Sequence, residues 1–187
     1  MMLSNGSQTA APQTSRHFRQ TTDKQGYVSD PVADAALTGA AFVRHLGDAR
    51  FATLRALRQL LGALDAERVA VGQLSSDGRH LHEDMVWSSG FGRCGDSELR
   101  VSCEAMSTDV EAWLRTSVPS LCIGLDVSID AWQEVSCDQL LLVRGAPIKG
   151  GFPVFAAQLR GGNPLSADAA YAISLLLNEY VKRTAIF

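Results

Sequence analysis

Beyond a polar opening stretch, apolar residues recur along this chain with a helical period in some segments and a strand period in others, and each change marks an element. Ser29-Asp30-Pro31 sets a capping residue before a proline at the first helical position, which predicts a helix running to about Leu46. After Gly47-Asp48, the residues Phe51, Leu54, Leu57, Leu61 and Leu64 return at helical spacing, so a second amphipathic helix, or a continuation of the first, is expected to end around Gly62. Alternation then takes over. Arg68–Leu74 (RVAVGQL) turns Val69 and Val71 the same way, Ser75-Ser76-Asp77-Gly78 is a turn, and Arg79–Trp87 is the returning strand of a hairpin.

Ser88–Asp96, rich in Gly and Ser, reads as a loop, and Leu99, Val101 and Cys103 alternate as a short strand. Ser107 or Thr108 is placed to cap a helix carrying Val110, Trp113 and Leu114 on one face, stopped by Val118-Pro119. Ser120–Val127 is expected to be a strand, while Ser128–Val135 suits either a helical turn or a loop. Asp138–Arg144 and Phe152–Arg160 then form a second hairpin around Gly145–Gly151, with Pro153 suggesting an edge or a bulge. Ser166 and Asp168 open a last helix whose Ala170, Ile173, Leu177, Tyr180 and Val181 share a face. The order predicts an α+β fold with a central antiparallel sheet of about five to six strands flanked by helices.

Composition narrows the function classes. The 187 residues are 46% apolar and 20% charged, which suits a single domain over 29–187 preceded by a polar tail over 1–28 expected to lack structure. A net charge of −3 gives no positive field for phosphate backbones, so nucleic acid is not expected as a direct partner. No apolar run approaches the roughly 20 residues of a membrane span, and the tail has no signal-like apolar core, so a cytoplasmic location is expected. Cys94, Cys103, Cys122 and Cys137 form no C-x-x-C pair and read as free thiols.

Two stretches carry a resemblance. LLGALDAERVAVGQLSSDGRHL (Leu60–Leu81) gives a helix ending in a leucine-rich turn, a strand, an acidic glycine turn and a second strand. LLLVRGAPIKGGFPVFAAQL (Leu140–Leu159), followed by the helix of NPLSADAAYAISLLLNEY, gives a strand pair and a long closing helix. Together they resemble the GAF-type sensory fold, related to PAS domains, and the ligand-binding domain of LuxR-type regulators. The resemblance implies a ligand pocket between one sheet face and the middle segment, here about Trp87 through Trp132. It also implies a stand-alone regulatory domain in signalling or transcriptional control that takes a small apolar or amphipathic ligand or a regulatory protein. The chain lacks the Tyr-x-x-x-Trp of homoserine-lactone receptors, the N-K-x-F-x-D-E-like run of cyclic-nucleotide sites and a helix-turn-helix, so any transcriptional role is expected in trans.

Candidate pocket residues follow: Trp87, Phe91, Cys103, Trp113, Leu114 and Trp132, of which the aromatic ones suit a pocket wall or an ordinary core equally. Trp87 and Trp113 rank first, as the end of a sheet strand and the apolar face of the helix expected to cover it. His80, His82 and Asp84 alternate on a strand and could hold a metal, but a solvated polar face explains them more simply. Neither a metal nor a cofactor is expected. The alternative reading is a thiol- or metal-dependent enzyme on the same scaffold, which requires Cys or His residues to converge in a cleft. The apolar band Leu175–Leu177 with Tyr180 suggests a homodimer through the last helix.

Overall fold

The computed structural model of the chain describes residues 29–89, 94–97, 99–124, 137–161 and 165–184. The expected tail over 1–28 lies outside them, as does the ambiguous segment 128–135. Helix α1 (Pro31–His45) begins where the Asp30 carboxylate accepts the Val32 and Ala33 N–H groups at 2.9 and 3.2 Å. Helix α2 (Ala49–Leu64) is capped by Asp48 and runs past the expected stop, because Asp65 takes the left-handed conformation (φ 51°) that glycine usually supplies at a helix end.

Among the described residues, seven strands form one antiparallel sheet: β1 (Ala66–Ser75), β2 (His80–Ser88), β3 (Cys94–Asp96), β4 (Arg100–Ser102), β5 (Ser120–Gly124), β6 (Gln139–Arg144) and β7 (Gly151–Leu159). The order is β3-β2-β1-β7-β6-β5, with β4 also on β2. A short 3₁₀ turn (Glu104–Met106) leads into α3 (Ser107–Leu114), and α4 (Ala167–Thr184) closes the chain. Ser166 caps α4 as expected, accepting the Ala169 N–H at 3.0 Å.

Four expectations are corrected. Cys94–Asp96, read as loop, pairs with Met85–Trp87 as a strand. Helix α3 starts at Ser107 itself, after Met106, with no side-chain cap, because the 3₁₀ turn feeds directly into it. It also ends at Leu114, ahead of Val118-Pro119, as the Arg115 and Thr116 N–H groups bond Ala112 and Trp113 carbonyls. Pro153 lies in a central strand, not at an edge. Its carbonyl accepts from Gly145 on the β6 side, so its missing N–H points the same way, just past the last β6 partner, Arg144, and the lost bond falls at the end of the ladder rather than within it.

Helices α1, α2 and α4 cover one sheet face. Val43, Leu57, Leu60, Ile173, Leu176, Leu177 and Tyr180 pack on Val69, Val71, Met85, Val143 and Phe155, each large side chain contributing about 1.5–3 kcal/mol. Much of the apolar band of α4 is therefore used inside the domain: Leu176, Leu177 and Tyr180 are buried. Helices α1 and α4 run parallel, since Ser166 bonds Asp30 at their starts while Arg44 meets Glu179 (3.0 Å) and Arg183 donates to the Leu46 carbonyl near their ends. The opposite face of the sheet is covered in part by α3, whose Val110 and Trp113 lie on Leu74, Leu81, Val101, Leu140, Leu142 and Val154.

Hydrogen bonds from Arg44 and Lys182 hold the Glu179 carboxyl below its ordinary range. A depressed acid adds stability that is present above its unfolded pKa and fades as pH falls through the native one. Urea titrations at pH 7 and pH 3 should therefore show a larger loss for the natural protein than for Glu179→Gln; equal losses would remove this ion pair from the acid response.

Candidate functional site

The sequence-predicted residues fall on two sides of the sheet. Trp87 is half-buried on the face that carries α1, α2 and α4, with the Arg58 guanidinium 5.7 Å from its ring centre. Cys103, Trp113 and Leu114 lie on the other face, the first two buried and the third half-buried. Phe91 and Trp132 lie outside the described residues. Trp87 and Trp113 therefore do not face one another across a shared space.

A bulge causes the separation. Val71 pairs with Met85 and Gly72 with Glu83, which leaves Asp84 as an extra residue in β2. Leu81 and Glu83 thus share the α3 face, whereas Met85 and Trp87, which unbroken alternation would put beside them, turn to the helices. Asp84 also turns that way, accepting from the Tyr180 hydroxyl and from Arg50 at 3.2 Å. Gly72 permits the bulge: a Cβ there would stand 2.2 Å from the His82 carbonyl oxygen and 2.8 Å from the Glu83 Cα.

The trio on the α3 face is tightly held. The Trp113 indole N–H donates to the Val118 carbonyl at 2.9 Å, and the Arg144 guanidinium lies over the Trp113 and Phe152 rings at 5.2 and 5.6 Å. Arg144 also donates to the Leu114 and Thr116 carbonyls, tying the end of α3 to the sheet. Arg144→Met should free that end and shift Trp113 emission to longer wavelength; an unchanged spectrum would mean the aromatic stack alone fixes α3.

Burial pushes the Cys103 thiol up to about 11, which leaves it un-ionised and inert at neutral pH. Cys94 and Cys122 are exposed and Cys137 is half-buried. Native protein should therefore release Cys103 to iodoacetamide only on unfolding, while Cys94 and Cys122 react at once. A fast-reacting Cys103 would revive thiol chemistry. His80 and His82 line an open groove of about 670 Å³ with Gln73, Ser75 and Arg100, and among the described residues no three His, Cys, Asp or Glu side chains are arranged to hold a metal.

A polar row missed by the sequence reading crosses the same face as α3. Arg68 stands directly opposite Ser88 on β2 and Gln158 on β7, and residues so paired share a face. It alternates with Val69, which faces the helices, and the next pair along, Ala70 with Ala156, leads into the α3-side core. Arg68 donates through both terminal nitrogens to the fully buried Glu83, one bond at 2.5 Å, and Ser97 donates to the same carboxylate at 3.2 Å. Ser88 Oγ and Gln158 Oε1 flank this ion pair, buried and, among the described residues, without a hydrogen-bond partner. Buried polar atoms are nearly always paired, so two in one row mark a place where the fold is not optimised for its own stability. Two signals were available in the sequence: a glycine inside a strand run, and an Arg and a Glu at strand positions that pairing could join.

No family model matches the sequence. No curated protein matches it either. Solved structures do. A phycoerythrobilin-bound GAF domain from a cyanobacterial phytochrome superposes with a TM-score of 0.58 at 9% identity, over 84% of this chain and 96% of that one. The fold is GAF-like. A phycocyanobilin-bound GAF domain from a cyanobacterial phytochrome gives 0.57 at 10% identity, over 83% and 94%. A GAF sensor protein from Burkholderia vietnamiensis gives 0.52 at 12%, over 84% and 91%. At these identities the likeness is one of fold alone.

Proposed function

We propose that this GAF-like chain is a regulatory, sensory domain that binds a small amphipathic ligand on the α3 face of its sheet, across Ser88, Arg68 and Gln158. The observation that carries the reading is the pair of buried, unpartnered polar atoms flanking a neutralised ion pair. Because Glu83 already balances Arg68, the row asks for a neutral group rather than an anion: an N–H or O–H donor for Gln158 Oε1 and a polar partner for the Ser88 hydroxyl. The apolar side chains beside the row, Ala70, Ala156 and Leu140, suit the apolar part of such a molecule. That two of these GAF neighbours are bilin-bound supports a small-molecule role and leaves the ligand of this chain to its own residues. The output is read as control of signalling or transcription through a partner protein in the cytoplasm.

Native mass spectrometry of protein purified from cells tests the reading. The expected result is a co-purifying small molecule that is lost from Ser88→Ala and Gln158→Met. The same Gln158→Met should raise the stability of the ligand-free protein by about 1 kcal/mol, since an unpartnered buried amide is exchanged for an apolar side chain of similar size. No bound molecule, together with a destabilising Gln158→Met in urea, would overturn the assignment of this row.

A further inference from the structure

Glu83 and Asp84 are consecutive carboxylates that leave β2 on opposite faces of the sheet. The first is bound by Arg68 and Ser97 on the α3 face. The second is bound by Tyr180 of α4 and Arg50 of α2 on the helix face. The two joints share a peptide unit and sit at the bulge, where the β1–β2 register breaks and the ladder is least constrained. Further bonds draw the same few residues together: Arg50 also binds Asp96 at 2.5 Å, and Ser97, the residue after it, donates its N–H to the Asp84 carbonyl at 2.8 Å. Tyr180 is in turn embedded near the end of α4, where its carbonyl accepts from Thr184 and the adjacent Glu179 joins α1 through Arg44.

We infer that the β2 bulge is a through-sheet relay, in which a change at the Arg68–Glu83 pair repositions Asp84 and so loosens or tightens the last two turns of α4. The inference rests on the reading of the Arg68 row as the ligand side, because that reading supplies the input. The coupling itself belongs to the fold and is measurable with no ligand. A neutral molecule seated across Ser88 and Gln158 packs against the Arg68 side chain between them and shifts it together with the Glu83 carboxylate it holds; a buried carboxylate has no solvent to absorb that movement, so the backbone at the unpaired residue takes it up. Asp84 then moves against Tyr180 and Arg50, and the end of α4 carries the result to the surface of the domain. Coupling of this kind has physical content only if both ends bias one element, and the bulge is that element.

NMR-detected amide exchange on the purified protein tests this. In Arg68→Met, amides at 178–184 should exchange about tenfold faster than in the natural protein relative to amides at 36–43 of α1, within the usual 5–150-fold span of intersite coupling. Tyr180→Phe should produce the same local acceleration. By reciprocity it should also speed exchange of the Glu83 amide, which bonds the Leu99 carbonyl on the adjoining strand side. The double variant should exchange no faster at the end of α4 than Tyr180→Phe alone. Arg115→Gln, which loses an exposed ion pair with Glu111 on α3, should leave α4 unchanged. If Arg68→Met proves too unstable, Arg68→Lys, which keeps the charge and loses the paired geometry, should show the same asymmetry at smaller size. Effects that add in the double variant, or an α4 acceleration matched in α1, would overturn the relay. A bound molecule found by mass spectrometry alongside those results would leave the ligand reading standing, so the two ideas fail separately.

Discussion

Gly72→Ala is expected to destabilise the protein by about 2–3 kcal/mol, at the upper end for overpacking, because the added methyl meets backbone on the neighbouring strand rather than a side chain that can turn aside. A Cβ 2.2 Å from a carbonyl oxygen forces β1 and β2 apart at the one point where their register shifts. Urea denaturation should show a lower midpoint with an unchanged slope, the sign of lost stability without lost compactness. Gly62→Ala provides the opposite sign. Gly62 is exposed within α2 with nothing within 4 Å of its would-be Cβ, so alanine there should stabilise by about 0.5–1 kcal/mol. If both substitutions destabilise equally, close approach at the bulge is not what Gly72 is for.

The second large effect concerns the ion pair. Arg68→Met should cost about 3–5 kcal/mol, since it leaves a fully buried carboxylate without its cation. Removing both charges is a different matter. Arg68→Met with Glu83→Leu should recover most of the loss, because a buried pair repays its desolvation only in part and an apolar pair of similar volume avoids it. Urea denaturation of the two single variants and the double gives the coupling. A double variant as unstable as Arg68→Met would show that Ser97 and the bulge, rather than the charge on Arg68, hold Glu83 in place.

Much of the architecture was legible from pattern alone. Asp30-Pro31 at the start of α1 and Ser166 at the start of α4 do what capping chemistry predicts, and the Ser75–Gly78 turn closes the hairpin, with Gly78 at φ 72°. The strand Cys94–Asp96 was not legible, because three residues containing a glycine carry no alternation to detect and their pairing is supplied by β2. Helix α3 was found from Val110 and Trp113, whereas its start was not, since a 3₁₀ turn replaces the side-chain cap on which such readings depend.

The candidate site shows the same division more sharply. Trp113, Cys103 and Leu114 lie together on one face. Trp87 was grouped with them as the aromatic end of a sheet strand, and the bulge in β2 turns it to the other face. Residues 81 to 87 contain one extra member, and a single inserted residue exchanges the faces of everything after it. Arg68, Ser88 and Gln158 come from three strands separated by up to ninety residues of sequence, and nothing local marks them as neighbours.

The amino-acid order by itself determined the helices, the longer strands and their succession in an antiparallel α+β fold, because periodicity, caps and turn residues act between positions a few residues apart. Tertiary structure alone decided which side of the sheet each β2 side chain occupies, that Glu83 finds Arg68 while Asp84 finds Tyr180, and that two polar atoms beside them are buried unpaired. Those outcomes depend on strand register, and register is fixed by contacts between distant segments that no local pattern encodes.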